Sequence, residues 1–381
     1  MRKTTIILAL VLALISCKQK SNNYEKLIIG DWKSFYEIPK KTSNKDIIIF
    51  PRRFSPFGES GYSFCKNGEV ENKTGYFDLT EKDSDGRTKR KFLGSYTKYR
   101  IQNDSLETFD LKDKKWVNIK IIKLTKDSLI LEYDDKSKEK FLKQNFKIDS
   151  LNSFDKVIVS TSGCYGTCPV DDIMISKNGE IEYYGKMYVN QKGFCKSKIS
   201  KKDFIKIENN YKKANFINLK DDYIASRTDA MTITTTFIKD GKILKTITDY
   251  GNESPTEMKW ATLSVVFLNQ NIKLERKNES KKFIDFGYVR FVNGKKVCEL
   301  TKSECFYLKS LLQNSEEIKK DFKVKYTIKY WADDNEKKVE SDGQYFKFET
   351  KKGEFTTLNL GYNFLEKNGL SKRIRDKTEY D

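Results

Sequence analysis

The chain has 381 residues, 38% of them hydrophobic, 13% aromatic and 33% charged, with only 5 prolines, so it can bury a core and does not read as a disordered polymer. Its formal net charge is +19, but acidic side chains are interleaved with the lysines throughout, which reads as a solvated surface, or as one attracted to anionic lipid headgroups or envelope polymer, and not as the concentrated basic face of a nucleic-acid binder. There is no histidine, which excludes Ser-His-Asp and Cys-His catalysis and His-ligated zinc. No metal and no cofactor is expected, and any enzyme would have to run on carboxylates, thiols, tyrosine or lysine.

At the N-terminus Arg2 and Lys3 precede an apolar run from Ile6 to Ile15, and Ser16-Cys17 follows. That is the layout of a secretory signal peptide, and it falls short of the roughly twenty apolar residues a spanning helix needs. The ending Leu14-Ile15-Ser16-Cys17 resembles the bacterial lipobox. The resemblance implies a signal over residues 1–17, cleavage before Cys17, and attachment of acyl chains such as palmitate to Cys17. Residues 18–23 are then a short tether. Lys18 stands where an aspartate retains enterobacterial lipoproteins at the inner membrane. This favours an outer-membrane anchor facing the periplasm over the plasma membrane.

Residues 24–148 carry the period and punctuation of short antiparallel strands, which predict a small β-barrel or sandwich. The strands are Leu27–Trp32, Ile47–Phe50, Gly61–Cys65, Gly75–Leu79, Gly94–Ile101, Ser105–Phe109, Trp116–Leu124 and Ser128–Tyr133, with a last one near Phe141. The opening Gly30-x-Trp32, the run from Gly94 to Ile101 and the closing Lys123–Leu131 resemble lipocalin-like domains of bacterial lipoproteins. The resemblance implies an antiparallel barrel with Trp32 as a structural plug at one end.

Residues 153–272 read as α+β. Val157–Thr161 leads into Gly163-Cys164-Tyr165-Gly166-Thr167-Cys168-Pro169, and Ile173–Ser176 and Glu180–Gly185 flank the hairpin signal Asn178-Gly179. A strand over Gly193–Ile199 precedes a helix over Lys201–Ala214, with Ser200 as N-cap and Phe204, Ile207 and Tyr211 at helical spacing. A second hairpin turns at Asp240-Gly241 between Met231–Ile238 and Lys242–Asp249, and Ser254-Pro255 starts a further helix. The Gly-Cys-Tyr-Gly-x-Cys-Pro motif, with Ile173, Ile175, Tyr184, Gly185, Gly193, Thr228 and Asp229, resembles a bacterial domain family of unknown function. That family brings architecture and no activity.

After the charged linker Lys273–Lys282, residues 283–381 read as a second small α+β unit. It has a hairpin across Asn293-Gly294, a helix over Lys302–Gln313, strands at Phe322–Trp331, Gln344–Thr350 and Glu354–Leu360, and a short helix at Phe364–Asn368. The whole is mainly β with α+β: a small antiparallel barrel followed by two small α+β units.

Of seven cysteines, six remain once Cys17 is lipidated. Outside the cytoplasm local spacing favours disulfides Cys164–Cys168 and Cys298–Cys305, leaving Cys65 and Cys195 over. Three readings of the Cys164–Cys168 motif stand side by side. In the first the pair is a structural clip within the motif Gly163, Tyr165, Gly166 and Pro169. In the second it is a redox pair, although the spacing is one longer than Cys-x-x-Cys and a strand follows. In the third it is half of a metal site. Asp171-Asp172 and Asp221-Asp222 read as solvated turn carboxylates, and strand neighbours point to opposite faces, so neither is an acid/base couple. Asp229 reads as a turn cap or a partner of Arg227. The function that follows is a lipid-anchored, non-catalytic envelope module that binds a small ligand, an envelope polymer or a partner protein, and no nucleic acid. The alternative is a thiol–disulfide oxidoreductase using Cys164 and Cys168.

Overall fold

The computed structural model describes residues 23–35, 58–82, 86, 88–277, 288–332, 335–351 and 353–378. The signal run, Cys17, residues 18–22 of the tether and the strand expected at Ile47–Phe50 lie outside the described residues. The chain divides into two compact units, residues 1–147 and 148–381.

In the first unit eight strands close into an antiparallel barrel: β1 Gly30–Ser34, β2 Gly61–Phe64, β3 Glu69–Asp78, β4 Lys91–Gln102, β5 Ser105–Phe109, β6 Trp116–Leu124, β7 Ser128–Glu132 and β8 Lys138–Gln144. Closure is made by β1, which pairs Trp32 with Tyr62 of β2 on one side and with Lys143 of β8 on the other. Alternation sends Leu106, Leu129, Leu131 and Phe141 inward, where they meet Phe64, Val70 and Tyr99. In β6 a register shift between Ile121 and Lys123 turns Leu124 inward with Ile119 and Ile121, and leaves Ile122 exposed. A helical turn over residues 23–27 precedes β1. Trp32 is fully buried, and its Nε1 donates to the Ile28 carbonyl oxygen at 2.7 Å. Lys143 lies over the indole, its Nζ 4.9 Å from the ring centroid, and donates to Leu27 O at 2.9 Å. Gly30 has φ +124°, and a Cβ there would stand 2.9 Å from Lys143 Cε. The Gly-x-Trp spacing thus has two local causes: the glycine admits the lysine stem, and the tryptophan fills the space beneath it.

The second unit is layered. Its first sheet has the order β13-β15-β14-β9-β10-β11-β12-β16. These strands are β9 Lys156–Thr161, β10 Val170–Ser176, β11 Glu180–Met187, β12 Gly193–Lys198, β13 Asp222–Ile224, β14 Thr232–Lys239, β15 Lys242–Tyr250 and β16 Glu275–Arg276. Every pairing is antiparallel except β13 with β15. Strand β9 is buried on both faces. Val157 and Val159 pack with helices α1 (Lys201–Lys213) and α2 (Thr256–Val266) through Phe204, Tyr211, Met258 and Val265. Ile158 points the other way, into a cluster with Cys305, Phe306 and Leu312 of helix α3 (Lys302–Gln313). Ser200 caps α1 as the sequence predicts, accepting from Asp203 N–H.

Helix α3 is covered in turn by a second sheet, ordered β19-β23-β22-β21-β20-β17-β18-β24. Its strands are β17 Arg290–Asn293, β18 Lys296–Glu299, β19 Glu316–Ile318, β20 Tyr326–Ala332, β21 Asn335–Ser341, β22 Tyr345–Lys351, β23 Glu354–Asn359 and β24 Arg375–Asp376, and a last helical turn α4 spans Phe364–Lys367. Phe291, Ile328, Val339 and Phe346 from this sheet share one hydrophobic cluster with Ile158, Met174 and Ile238 of the first. The sequence reading separates residues 153–272 from 283–381; in the fold those two stretches are joined by this cluster. Both open sheets end in very short strands, β13 and β16 in one and β19 and β24 in the other.

Candidate functional site

Strand β9 ends at Thr161, and the chain returns as β10 at Val170 after an eight-residue loop that carries the cysteine motif. Cys164 and Cys168 are disulfide-bonded across it, with Cα atoms 5.6 Å apart. Gly166 lies between them at φ +139°, a conformation other residues rarely hold, and so lets the five-residue span turn back on itself. The loop is tied at several points. Ser162 N–H donates to Thr232 O, and Ser162 Oγ accepts from Thr232 N–H, both at 2.9 Å. Tyr165 N–H donates to Asp229 O at 3.0 Å, and Thr161 Oγ1 contacts Pro169 O at 2.8 Å. Fixed in this way, the loop presents the Tyr165 side chain 91% exposed. Because Val170 pairs with Met187, the exposed Met187 and Tyr188 belong to the same end of the sheet.

The two carboxyls that follow the loop differ from the sequence reading: Asp171 and Asp172 are buried in β10, not solvated in a turn. They do point to opposite faces, and each has found partners from distant parts of the chain. Asp171 Oδ1 lies 2.6 Å from Thr161 Oγ1, while its Oδ2 accepts from Tyr183 Oη at 3.2 Å and Asn269 Nδ2 at 3.1 Å. Burial dominates and pushes this carboxyl up to about 6. Asp172 accepts from Lys302 Nζ at 3.0 Å, and the same ammonium donates to the carbonyl oxygens of Thr161 and Asp171 at 2.9 and 2.8 Å. The first residue of α3 therefore clamps β9 and β10 directly below the disulfide loop. Sequence reasoning passed over Thr161, Tyr183, Asn269 and Lys302. The available signal was an acidic pair set between the strand residues Val170 and Ile173.

Arg227 donates to Gly251 O and pairs with Glu253, 3.6 Å away, and not with Asp229. Asp229, at φ 60°, supplies its carbonyl to the loop and takes a weak contact from Thr228 Oγ1. Cys298 and Cys305, the second candidate disulfide, are separate thiols. Cys298 sits in β18 with its sulfur 3.5 Å from Leu370 O, and Cys305 sits in α3 with its sulfur 3.8 Å from Leu300 O. Desolvation raises both, Cys305 to about 12, so each behaves as a small apolar filler. Burial likewise raises the Cys195 thiol. Among the described residues no three carboxylates or thiols converge as metal ligands, and no helix is long and apolar enough to cross a membrane.

The class defined by these observations is a mainly β protein with a closed eight-stranded barrel and a separate layered unit carrying the cysteine loop. Within that unit residues 155–268 match a family model described as "Domain of unknown function (DUF6438)", which spans the loop, both buried carboxyls and the first sheet from β9 to α2. No curated protein matches the chain.

Proposed function

We propose that the protein is a lipid-anchored envelope protein whose layered unit is a non-catalytic binding module, with the disulfide loop as its contacting element. The anchor rests on Leu14-Ile15-Ser16-Cys17. The binding reading rests on one observation above all: Tyr165 is 91% exposed on a loop held by a disulfide and by ties to β14 and to Asp229. A rigid loop that offers an aromatic ring to solvent gains nothing for its own core. Ordering the loop in advance lowers the entropy lost on contact with a partner. The eight residues 162–169 carry no charge, in a chain where a third of residues are charged, so this surface suits a neutral, weakly polar partner surface of the envelope.

A thiol–disulfide enzyme would place its cysteines at a helix N-terminus, where the dipole lowers one thiol. Cys164 and Cys168 lie instead between two antiparallel strands. The test is capture of the intact mature protein from membranes, with co-purifying molecules identified by mass spectrometry in parallel for Tyr165→Ala. Loss of the captured species in the variant supports the reading, and an unchanged set overturns the role of the loop. Alkylation across a glutathione series tests the chemistry: both cysteines stay protected in a structural clip, whereas ready reversible reduction with one acidic thiol marks an oxidoreductase.

A further inference from the structure

Thr161 Oγ1 stands 2.8 Å from Pro169 O and 2.6 Å from Asp171 Oδ1, and it lies 3.2 Å from Asp171 N–H, from which it accepts. A threonine hydroxyl carries a single hydrogen, so it gives a full hydrogen bond to the carbonyl or to the carboxylate but not to both at once. The geometry points to a proton-operated latch between Asp171 and the disulfide loop. With a proton on Asp171, the carboxyl donates to Thr161 and the hydroxyl donates to Pro169 O. Without it, the hydroxyl turns to the carboxylate and Pro169 O loses its tie. In the protonated form Thr161 accepts from the carboxyl and from Asp171 N–H, using both lone pairs, and donates to Pro169 O, so all three of its contacts are made. In the ionised form one carbonyl beside Cys168 is left over.

The surroundings leave Asp171 as the group that titrates here. Tyr183 and Asn269 serve Asp171 Oδ2 in either state, and burial raises the Tyr183 phenol beyond reach. The Cys195 thiol, raised by burial, stays protonated near neutrality. Lys302 approaches from α3, but its ammonium is engaged by Asp172 and by two backbone carbonyls. Asp172 points to the opposite face. Desolvation raises Asp171 to about 6, which sets the switch in mildly acidic solution.

The test is hydrogen exchange of the loop peptide in the full-length protein across mildly acidic to neutral pH, corrected for the intrinsic pH dependence of exchange. Corrected exchange of residues 162–168 should rise several-fold, by roughly 3–10 times, as pH passes the Asp171 midpoint. Asp171→Asn keeps an N–H donor toward Thr161 and should hold the loop in its low-pH state throughout. Thr161→Val should abolish the loop response while Asp171 still titrates. The Asp171 carboxyl carbon is followed by NMR in wild-type protein labelled at aspartate, so the latch is tested even where a variant fails to fold. Flat exchange in wild type, a response that persists in Asp171→Asn, or a carboxyl midpoint at the ordinary aspartate value near ~4 would overturn the latch.

Discussion

At Asp171 burial acts against charge, and the sign of its effect on stability is unusual for a carboxylate. Its ordinary value of 3.8 is raised to about 6 in the fold. Below the lower value folded and unfolded chains both hold the proton. Between the two the unfolded chain releases it first, so this residue's contribution is lost as pH rises and levels off above about 6. Asp171→Asn removes the titration. Each pH unit between the two values is worth roughly 1.4 kcal/mol, so the variant should make the protein more stable at pH 7 by about 2–3 kcal/mol relative to its effect at pH 4. Denaturant unfolding of both proteins at the two pH values measures it, and an equal change at both would refute the assignment. Trp32 is the opposite kind of residue, apolar, fully buried and hydrogen-bonded to Ile28 O. Trp32→Ala should cost the barrel about 3–5 kcal/mol in the same type of experiment, and a loss under about 1 kcal/mol would show that the indole does not plug it.

Helix α3 shows how one element fixes a site made by others. Thr301 and Glu304 form a reciprocal capping box, and Glu304, wholly buried, also accepts from Thr246 and Arg373. The capped first turn delivers Lys302 to Asp172 and Ser303 to Thr234 and Thr236. Lys302→Met would leave Asp172 as an unpaired buried charge and two carbonyls without their donor. A loss of about 3–5 kcal/mol is expected, read by thermal or denaturant melting, and Lys302→Met with Asp172→Leu should recover part of it. The helix itself was legible, because its apolar positions and boundaries are local. So were the hairpins at Asn178-Gly179, Asp240-Gly241 and Asn293-Gly294, where turn chemistry is written in two residues. Strand β21 was not, since Asn335–Ser341 offers only Val339 as an apolar residue and owes its conformation to neighbours on both sides. The Asp171 site was illegible for the same reason: Tyr183, Asn269 and Lys302 reach it from 12, 98 and 131 residues away.

For the whole molecule, the division at residue 147 and the shared cluster of the second unit make a prediction about fragments. Residues 18–147 should fold cooperatively alone. Residues 148–277, deprived of α3 and the second sheet, should expose Ile158, Met174 and Ile238, bind a hydrophobic dye and self-associate. A monomeric 148–277 fragment with a sharp melting transition would show that the second sheet is dispensable. The rims of the sheets have a consequence of another kind. A chain with this much strand would ordinarily risk polymerising through its backbone, each open strand templating the next copy. Here the described strands of the barrel close on themselves, and the layered unit ends in strands of three and two residues on each sheet. The outermost strands therefore offer a second copy only two or three residues of backbone to pair with, so stacking of copies would have to begin on the longer strands beside them, such as the Lys242–Ile247 part of β15 that β13 does not reach.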